Sequence, residues 1–423
     1  MTAAVLADDF IDLLNKSGLL SHDEIASVQY RLRLGHCETA KEVAKILVRN
    51  RVLTHFQAKH LLQGRWRGLV LNKYKLLGVL GAGGMGWVYS AQELNSQWKV
   101  AIKVLGKERR DNKGMLARMQ LEAQAGMRLS HPNILRTMEL NQTEDAYGQM
   151  YYLVMELVKG ITPLELYSIT KNIDWRHACD IIGQAAKGLQ YAHDQGLVHR
   201  DVKPENLLVR KEGTVKILDF GLAMMDENDE EFTMAMIFGQ DRVGTADYVS
   251  PEQTVDSYTV DHRTDIYSLG CAFYFMLTGS VPFPVSSTGK KVACHRRKRP
   301  KDIQSINPDV PTEVAEIVKN MTAKRPDRRF PKASFVEEAV APFAERQEIQ
   351  FDFAAVLRAR IRQAEHHWKL KRKRPSSDAI SRVASSIAGE AAEAKIDTGL
   401  RDDTQLDEQA KKGPHRSLGT DRK

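Results

Sequence analysis

Cysteine is scarce and scattered: Cys37, Cys179, Cys271 and Cys294 are the only four in 423 residues, and no two form a CxxC pair. That spacing excludes a disulfide framework and a thiolate zinc site, and leaves reduced, mostly buried thiols. Long apolar runs are also missing. None approaches the ~20 residues that a membrane helix requires. Asp8 and Asp9 stand where a secretory leader would carry positive charge. The expectation is a cytoplasmic chain without a transmembrane segment. Aromatic residues do not interleave with the basic ones. The net charge of +8 is concentrated in Lys290-Lys291 with His295–Arg299 and in Lys369–Arg374. With no recognition motif beside them, nucleic acid is not an expected partner, and such runs are by default solvated faces.

What is present suits a folded protein. Hydrophobic residues make up 42% and charged residues 27%, enough for a real core. The length allows one large domain with flanking pieces, or about two to three average ones.

Three regions separate by pattern. Over residues 1–70, Ser21–Glu24, Thr39–Glu42 and Thr54–Gln57 each read as a capping box opening a helix, and Gly64 reads as the last stop. Val43, Ile46 and Leu47, then Ala58, Leu61 and Leu62, follow at helical spacing. A small helical bundle is expected, with no cluster of catalytic residue types. From Tyr74 the period changes to strands at Tyr74–Leu80, Trp87–Ala91 and Trp98–Leu105, with turn chemistry at Asn95-Ser96. A helix over Met115–Leu129 and further strands ending near Met155 follow. Helical patterns then run to about Phe343. The fold class is therefore α+β, a sheet-rich part before a larger helical part. Residues 344–423 read as a helix over 350–372, with Phe353, Val356, Leu357 and Ile361 on one face, and then a disordered tail.

Gly81-Ala82-Gly83-Gly84-Met85-Gly86 is a GxGxxG sequence, weak evidence by itself. The dinucleotide-binding version must open a helix. Here a strand follows, so the glycines sit at a hairpin tip, where backbone amides can approach phosphate oxygens. Lys103, within Val100-Ala101-Ile102-Lys103, lies inside an apolar strand, where its charge needs a partner. Glu122 on the following helix is the natural one.

The sharpest signal is His199-Arg200-Asp201-Val202-Lys203-Pro204-Glu205-Asn206, followed by Asp219-Phe220-Gly221. With these motifs in order, the chain resembles the eukaryotic-type (Hanks-type) protein serine/threonine kinases found in bacteria, from about Tyr74 to Phe343. The resemblance implies a bilobal fold with a β-rich N-lobe and a helical C-lobe. It also implies ATP and Mg²⁺ as cofactors and serine or threonine hydroxyls of proteins as acceptors. The hairpin Leu80–Val88, with Gly81, Ala82, Gly83, Gly84, Met85 and Gly86, would cover the triphosphate. Lys103 would hold the α- and β-phosphates, oriented by Glu122. Asp201 would take or orient the hydroxyl proton, Lys203 would reach the γ-phosphate, and Asn206 and Asp219 would hold magnesium. Val88, Ala101 and Leu208 would sandwich the adenine. Met155 matches the gatekeeper, and the backbone of Glu156 and Val158 matches the hinge. Thr245 would hydrogen-bond Asp201 and Lys203, Arg329 would pair with Glu252, and Asp265 would brace the catalytic loop.

The same resemblance places Thr233 as the activation-loop phosphosite that Arg200 would read. The acidic run Asp226–Glu231 before it is by default a solvated loop; the sharper alternative is that it stands in for phosphate by pairing with Arg200. The basic run 290–299 falls near the protein-substrate face and would favour acidic substrates. Residues 1–70 resemble, less specifically, a helical segment ahead of the kinase domain in some bacterial relatives, so adaptor, docking and dimer roles are open. The tail carries no transmembrane helix or sensor domain of the kind many such relatives have, so the expected activating signal is intracellular. The competing class is a pseudokinase scaffold, which normally lacks an equivalent of Lys103, Asp201 or Asp219. All of these are present here.

Overall fold

The computed structural model describes residues 5–82, 86–106, 110, 112–145, 148–220, 245–255 and 260–373. Met1–Ala364 forms one compact unit; a second begins at Glu365.

The chain opens with four helices: α1 (Ala7–Ser17), α2 (His22–Arg31), α3 (Ala40–Arg49) and α4 (His55–Leu62). The capping boxes at Ser21/Glu24, Thr39/Glu42 and Thr54/Gln57 all form, satisfying amide donors that a helix start leaves without partners. The sequence reading missed α1, whose start is fixed instead by Asp9 accepting from the Leu6 amide. Phe10, Leu14, Val43, Leu47 and Leu61 bury a core belonging to this bundle.

A six-stranded antiparallel sheet follows, in the order β1-β2-β3-β4-β6-β5. Its strands are β1 (Val70–Leu71), β2 (Tyr74–Ala82), β3 (Gly86–Glu93), β4 (Lys99–Leu105), β5 (Thr137–Asp145) and β6 (Gly148–Glu156); α5 (Lys113–Arg128) is inserted after β4. Strand alternation gives β4 two buried faces. Ala101 and Leu105 face inward with Leu153, Met155 and the α5 residues Met119 and Ala123. Val100, Ile102 and Val104 face outward, into a cluster that Phe56 of α4 packs against. The bundle is also tied to the sheet by Gln57, whose buried Nε2 donates to the Leu76 carbonyl at 2.7 Å.

The helical lobe begins with β7 (Gly160–Ile161) and α6 (Pro163–Thr170), and then α7 (Trp175–Asp194). β8 (Leu207–Arg210) and β9 (Val215–Ile217) complete a small sheet with β7. Helices α8 (Arg263–Thr278), α9 (Thr288–Arg297), α10 (Thr312–Met321), α11 (Ala333–Val340) and α12 (Phe353–Lys373) follow. The buried centre joins α7 and α8 through Ile181, Leu189, Ile266, Leu269 and Phe273. The α+β class and the two-lobe arrangement expected from the sequence are those observed. Helix α5 accounts for the helix read as Met115–Leu129, starting two residues earlier and ending at Arg128, and Gly64 takes a positive φ of 73° just past α4. Thr233 and the acidic run 226–231 lie outside the described residues, as does the chain beyond 373.

Candidate active site

Lys103 sits on β4 between Val88 of β3 and Leu153 of β6, in an apolar setting where an ammonium group must be compensated. It finds two carboxylates. Its Nζ lies 2.6 Å from Glu122 of α5 and 3.2 Å from Asp219. Burial works against the Lys103 charge, but the two carboxylates outweigh it and hold its pKa above the ordinary value. Burial pushes Glu122 up to about 7, with Lys103 opposing and Asp219 adding to the rise. Burial also resists ionisation of Asp219, yet Lys103 keeps its carboxyl below the usual range. One ammonium between two carboxylates thus leaves Asp219 charged and Glu122 as the group that titrates.

Above this triad, β2 and β3 close the glycine hairpin, with Gly81 opposite Val88 and Ala82 opposite Trp87. Gly83, Gly84 and Met85 at the tip lie outside the described residues. Gly86 is required by close approach: a Cβ there would meet the Val104 carbonyl at 2.0 Å. Leu80 and Val88 pack against the cluster holding Ala101 and Met155, and Leu208 of β8 is buried in the other lobe. After Met155 and Glu156, Val158 forms no backbone hydrogen bond among the described residues.

The loop after α7 is braced from beneath by fully buried Asp265 of α8. Its carboxylate accepts the amides of His199 and Arg200, each at 2.8 Å, and lies 2.8 Å from His193 Nε2. Burial would raise its pKa, but His193 and the other donors pull it below the ordinary value. The His193 contact had no signal in the sequence, because its partner is 72 residues away. His199 donates from Nε2 to the Leu218 carbonyl at 2.8 Å, and its Nδ1 accepts the Asp201 amide at 3.2 Å. That pair fixes the tautomer and holds the loop against the segment carrying Asp219. The Asn206 carbonyl accepts the Leu218 amide at 2.8 Å, a second link between the same segments.

Within the loop, Lys203 Nζ lies 3.0 Å from both Asp201 carboxylate oxygens, and Asn206 Nδ2 donates to the Asp201 carbonyl at 2.8 Å. Arg200 and Asp219 adopt φ of 63° and 52°, left-handed conformations that non-glycine residues hold only when their surroundings impose them. Arg200 Nε has no hydrogen-bond partner among the described residues. Thr245 opens a 3-10 turn, Thr245–Asp247, but the contacts expected of its hydroxyl lie outside the described residues.

The end of the activation segment is held by two clamps. Arg329 forks onto Glu252 at 2.6 and 2.7 Å. From α9, Lys291 pairs with Asp247 at 2.6 Å and Arg296 Nε donates to the Thr254 hydroxyl at 2.7 Å. His295 is fully buried beneath, 2.9 Å from the Tyr267 hydroxyl, and burial with Lys324 nearby drives its pKa down to about 3. Part of the basic run 290–299 is therefore engaged, with Lys291 half-buried and His295 buried, while Lys290, Arg296, Arg297, Lys298 and Arg299 are exposed.

Residues 74–340 match the protein kinase domain family, well over half of the chain, and the chain belongs to that family. It is 36% identical over 265 residues to the serine/threonine-protein kinase PknB of Mycolicibacterium smegmatis, covering 62% of this chain and 41% of that protein. Its identity to PknB of Mycobacterium leprae is 33% over 265 residues, 62% of this chain and 42% of that protein. To the serine/threonine-protein kinase PrkC of Bacillus subtilis it is 32% over 269 residues, 63% and 40%. The chain thus spans about two fifths of the length of these relatives. Among the described residues no helix is long and apolar enough to cross a membrane.

Proposed function

We propose that this chain is a protein serine/threonine kinase that transfers the γ-phosphoryl group of Mg-ATP to hydroxyl groups of proteins. The observation that carries the reading is the convergence of Lys103, Glu122 and Asp219, together with a loop in which Lys203 and Asn206 both bond to Asp201. Phosphoryl transfer has a loose transition state, so these groups need only position the reactants and balance charge.

The donor set fits the cofactors. Asn206 turns Nδ2 toward Asp201, which leaves its Oδ1 as an oxygen for a cation, and Asp219 is held ionised. One amide and one carboxylate oxygen suit a magnesium ion whose other ligands are phosphate oxygens and water. When bound, that ion would neutralise charge between the phosphates. Lys103 holds the α- and β-phosphates, and Lys203 steadies the γ-phosphate. Asp201 orients the acceptor hydroxyl and receives its proton. Val88, Ala101 and Leu208 enclose the adenine, while the backbones of Glu156 and of Val158, which has no backbone hydrogen bond among the described residues, supply its hydrogen bonds. Lys203 beside Asp201 favours serine and threonine over tyrosine. Arg200, whose Nε has no hydrogen-bond partner among the described residues, is the reader for phosphate at Thr233.

Calorimetric titration with ADP tests the pocket without requiring turnover. Wild-type protein binds ADP more tightly with magnesium present, and Asp219→Asn removes that magnesium dependence while leaving magnesium-free binding. Absence of ADP binding by wild type under both conditions contradicts the reading.

A further inference from the structure

Residues 345–364 lie past the span that matches the kinase family, yet they are built onto its helical lobe. The Ile349 amide donates to the Lys211 carbonyl at 2.8 Å, and Arg346 reaches Asp180 at 3.3 Å. Gly213, at φ +78°, lies so close beneath that a Cβ would meet the Gln347 carbonyl at 2.8 Å. Ile349, Phe351 and Val356 are buried in the same core as α7 and α8. These contacts make the segment a strap rather than a tail.

The strap ends at the nucleotide side of the lobe. From α12, the Arg360 guanidinium donates through Nε to Glu165 Oε1 at 2.6 Å and through Nη2 to Glu165 Oε2 at 2.7 Å. The same Nη2 donates to the Gly160 carbonyl at 3.0 Å. Glu165 is the third residue of α6 and completes a capping box with the N-cap Thr162, whose amide its Oε2 also accepts at 2.8 Å. Gly160 and Ile161 form β7, which directly follows the hinge residues Glu156–Lys159 and pairs with β8, the strand carrying Leu208. One side chain therefore closes both ends of the turn between hinge and α6. The two partners are only 19% and 25% exposed, so the pair is little screened. Burial opposes ionisation of Glu165, but Arg360 and the Thr162 groups bring its pKa below the ordinary value.

We propose that Arg360 is a positioning residue for the nucleotide: by fixing β7 and the start of α6 it sets the placement of Val158 and Leu208 against the purine. The proposal rests on the kinase reading. It assigns Arg360 to nucleotide affinity and not to the transfer step, because the loop carrying Asp201, Lys203 and Asn206 has a separate brace, Asp265 accepting the His199 and Arg200 amides just before Asp201. A fork of charge-assisted bonds is geometrically demanding, so lysine cannot reproduce it fully.

The test uses the full chain and four variants: Arg360→Ala, Arg360→Lys, Glu165→Gln, and Arg346→Ala as a strap control remote from the hinge. Arg360→Ala should raise both KM for Mg-ATP and Kd for Mg-ADP about fivefold to tenfold, with kcat within about twofold. Arg360→Lys and Glu165→Gln should fall between, and they decide the matter if the alanine variant does not fold. Arg346→Ala should leave both constants unchanged. Unchanged KM and Kd in the Arg360 and Glu165 variants, or equal loss in Arg346→Ala, overturns the proposal and makes the strap purely structural. Wild type that binds no Mg-ADP overturns the kinase reading instead, so the two failures are distinguishable.

Discussion

Glu122 is the residue whose state the site leaves adjustable. Lys103 is held charged and Asp219 ionised, while Glu122 titrates at about 7 because it is buried beside a second carboxylate. A carboxyl raised in the folded state favours protonation, so its contribution to stability declines as pH rises from the ordinary value near 4.5 through about 7. Activity should run the other way, because the Lys103–Glu122 ion pair is complete only above that pH. The profile of kcat/KM for ATP should therefore fall as pH drops through about 7, since that parameter reports groups of the free enzyme. In Glu122→Gln that acid limb should disappear along with much of the rate. An unchanged limb in Glu122→Gln assigns the titration to another group. The pairing was legible in the sequence because a lysine inside Val100–Val104 requires a counter-charge. The titration was not, since it depends on how closely Asp219 approaches through the fold.

At the level of elements, α9 divides its basic residues between two tasks. Lys291 and Arg296 bond the end of the activation segment and His295 is buried against Tyr267, while Lys290 and Arg297, with Lys298 and Arg299 just past the helix end, are exposed. The outward group would attract acidic protein substrates, an effect that acts mainly on association and weakens with salt. Arg297→Glu with Lys298→Glu should slow phosphorylation of an acidic protein severalfold while leaving a neutral peptide unaffected, and raising the salt should mimic it. Equal slowing of both substrates by either change would remove substrate selection from this helix. Capping boxes and strand alternation made α2, α3, α4 and β4 readable in advance. The engagement of elements was not. Phe56 and Gln57 show no sign in their own pattern that they cover the outer face of the sheet. Likewise Arg360 reads as one more surface charge of an amphipathic helix until Glu165, 195 residues earlier, is brought to it.

Across the whole molecule, a family domain at residues 74–340 carries additions at both ends that are packed rather than tethered. The N-terminal bundle packs on the sheet face away from Lys103, and the strap climbs to the turn after the hinge. Both contacts thus reach the small lobe and the turn that follows its hinge. The motif order that revealed the catalytic lobe says nothing about these additions, because motifs report chemistry while such contacts report only shape and local charge. The most direct test of the central claim is incubation of the purified chain with Mg-ATP and a generic basic protein, beside Asp201→Ala, with phosphosites mapped by mass spectrometry. Phosphate on serine or threonine in the wild type and none in Asp201→Ala is the predicted result. Equal phosphate in both samples, or none in either despite measurable ATP binding, would contradict it and point to a nucleotide-binding scaffold.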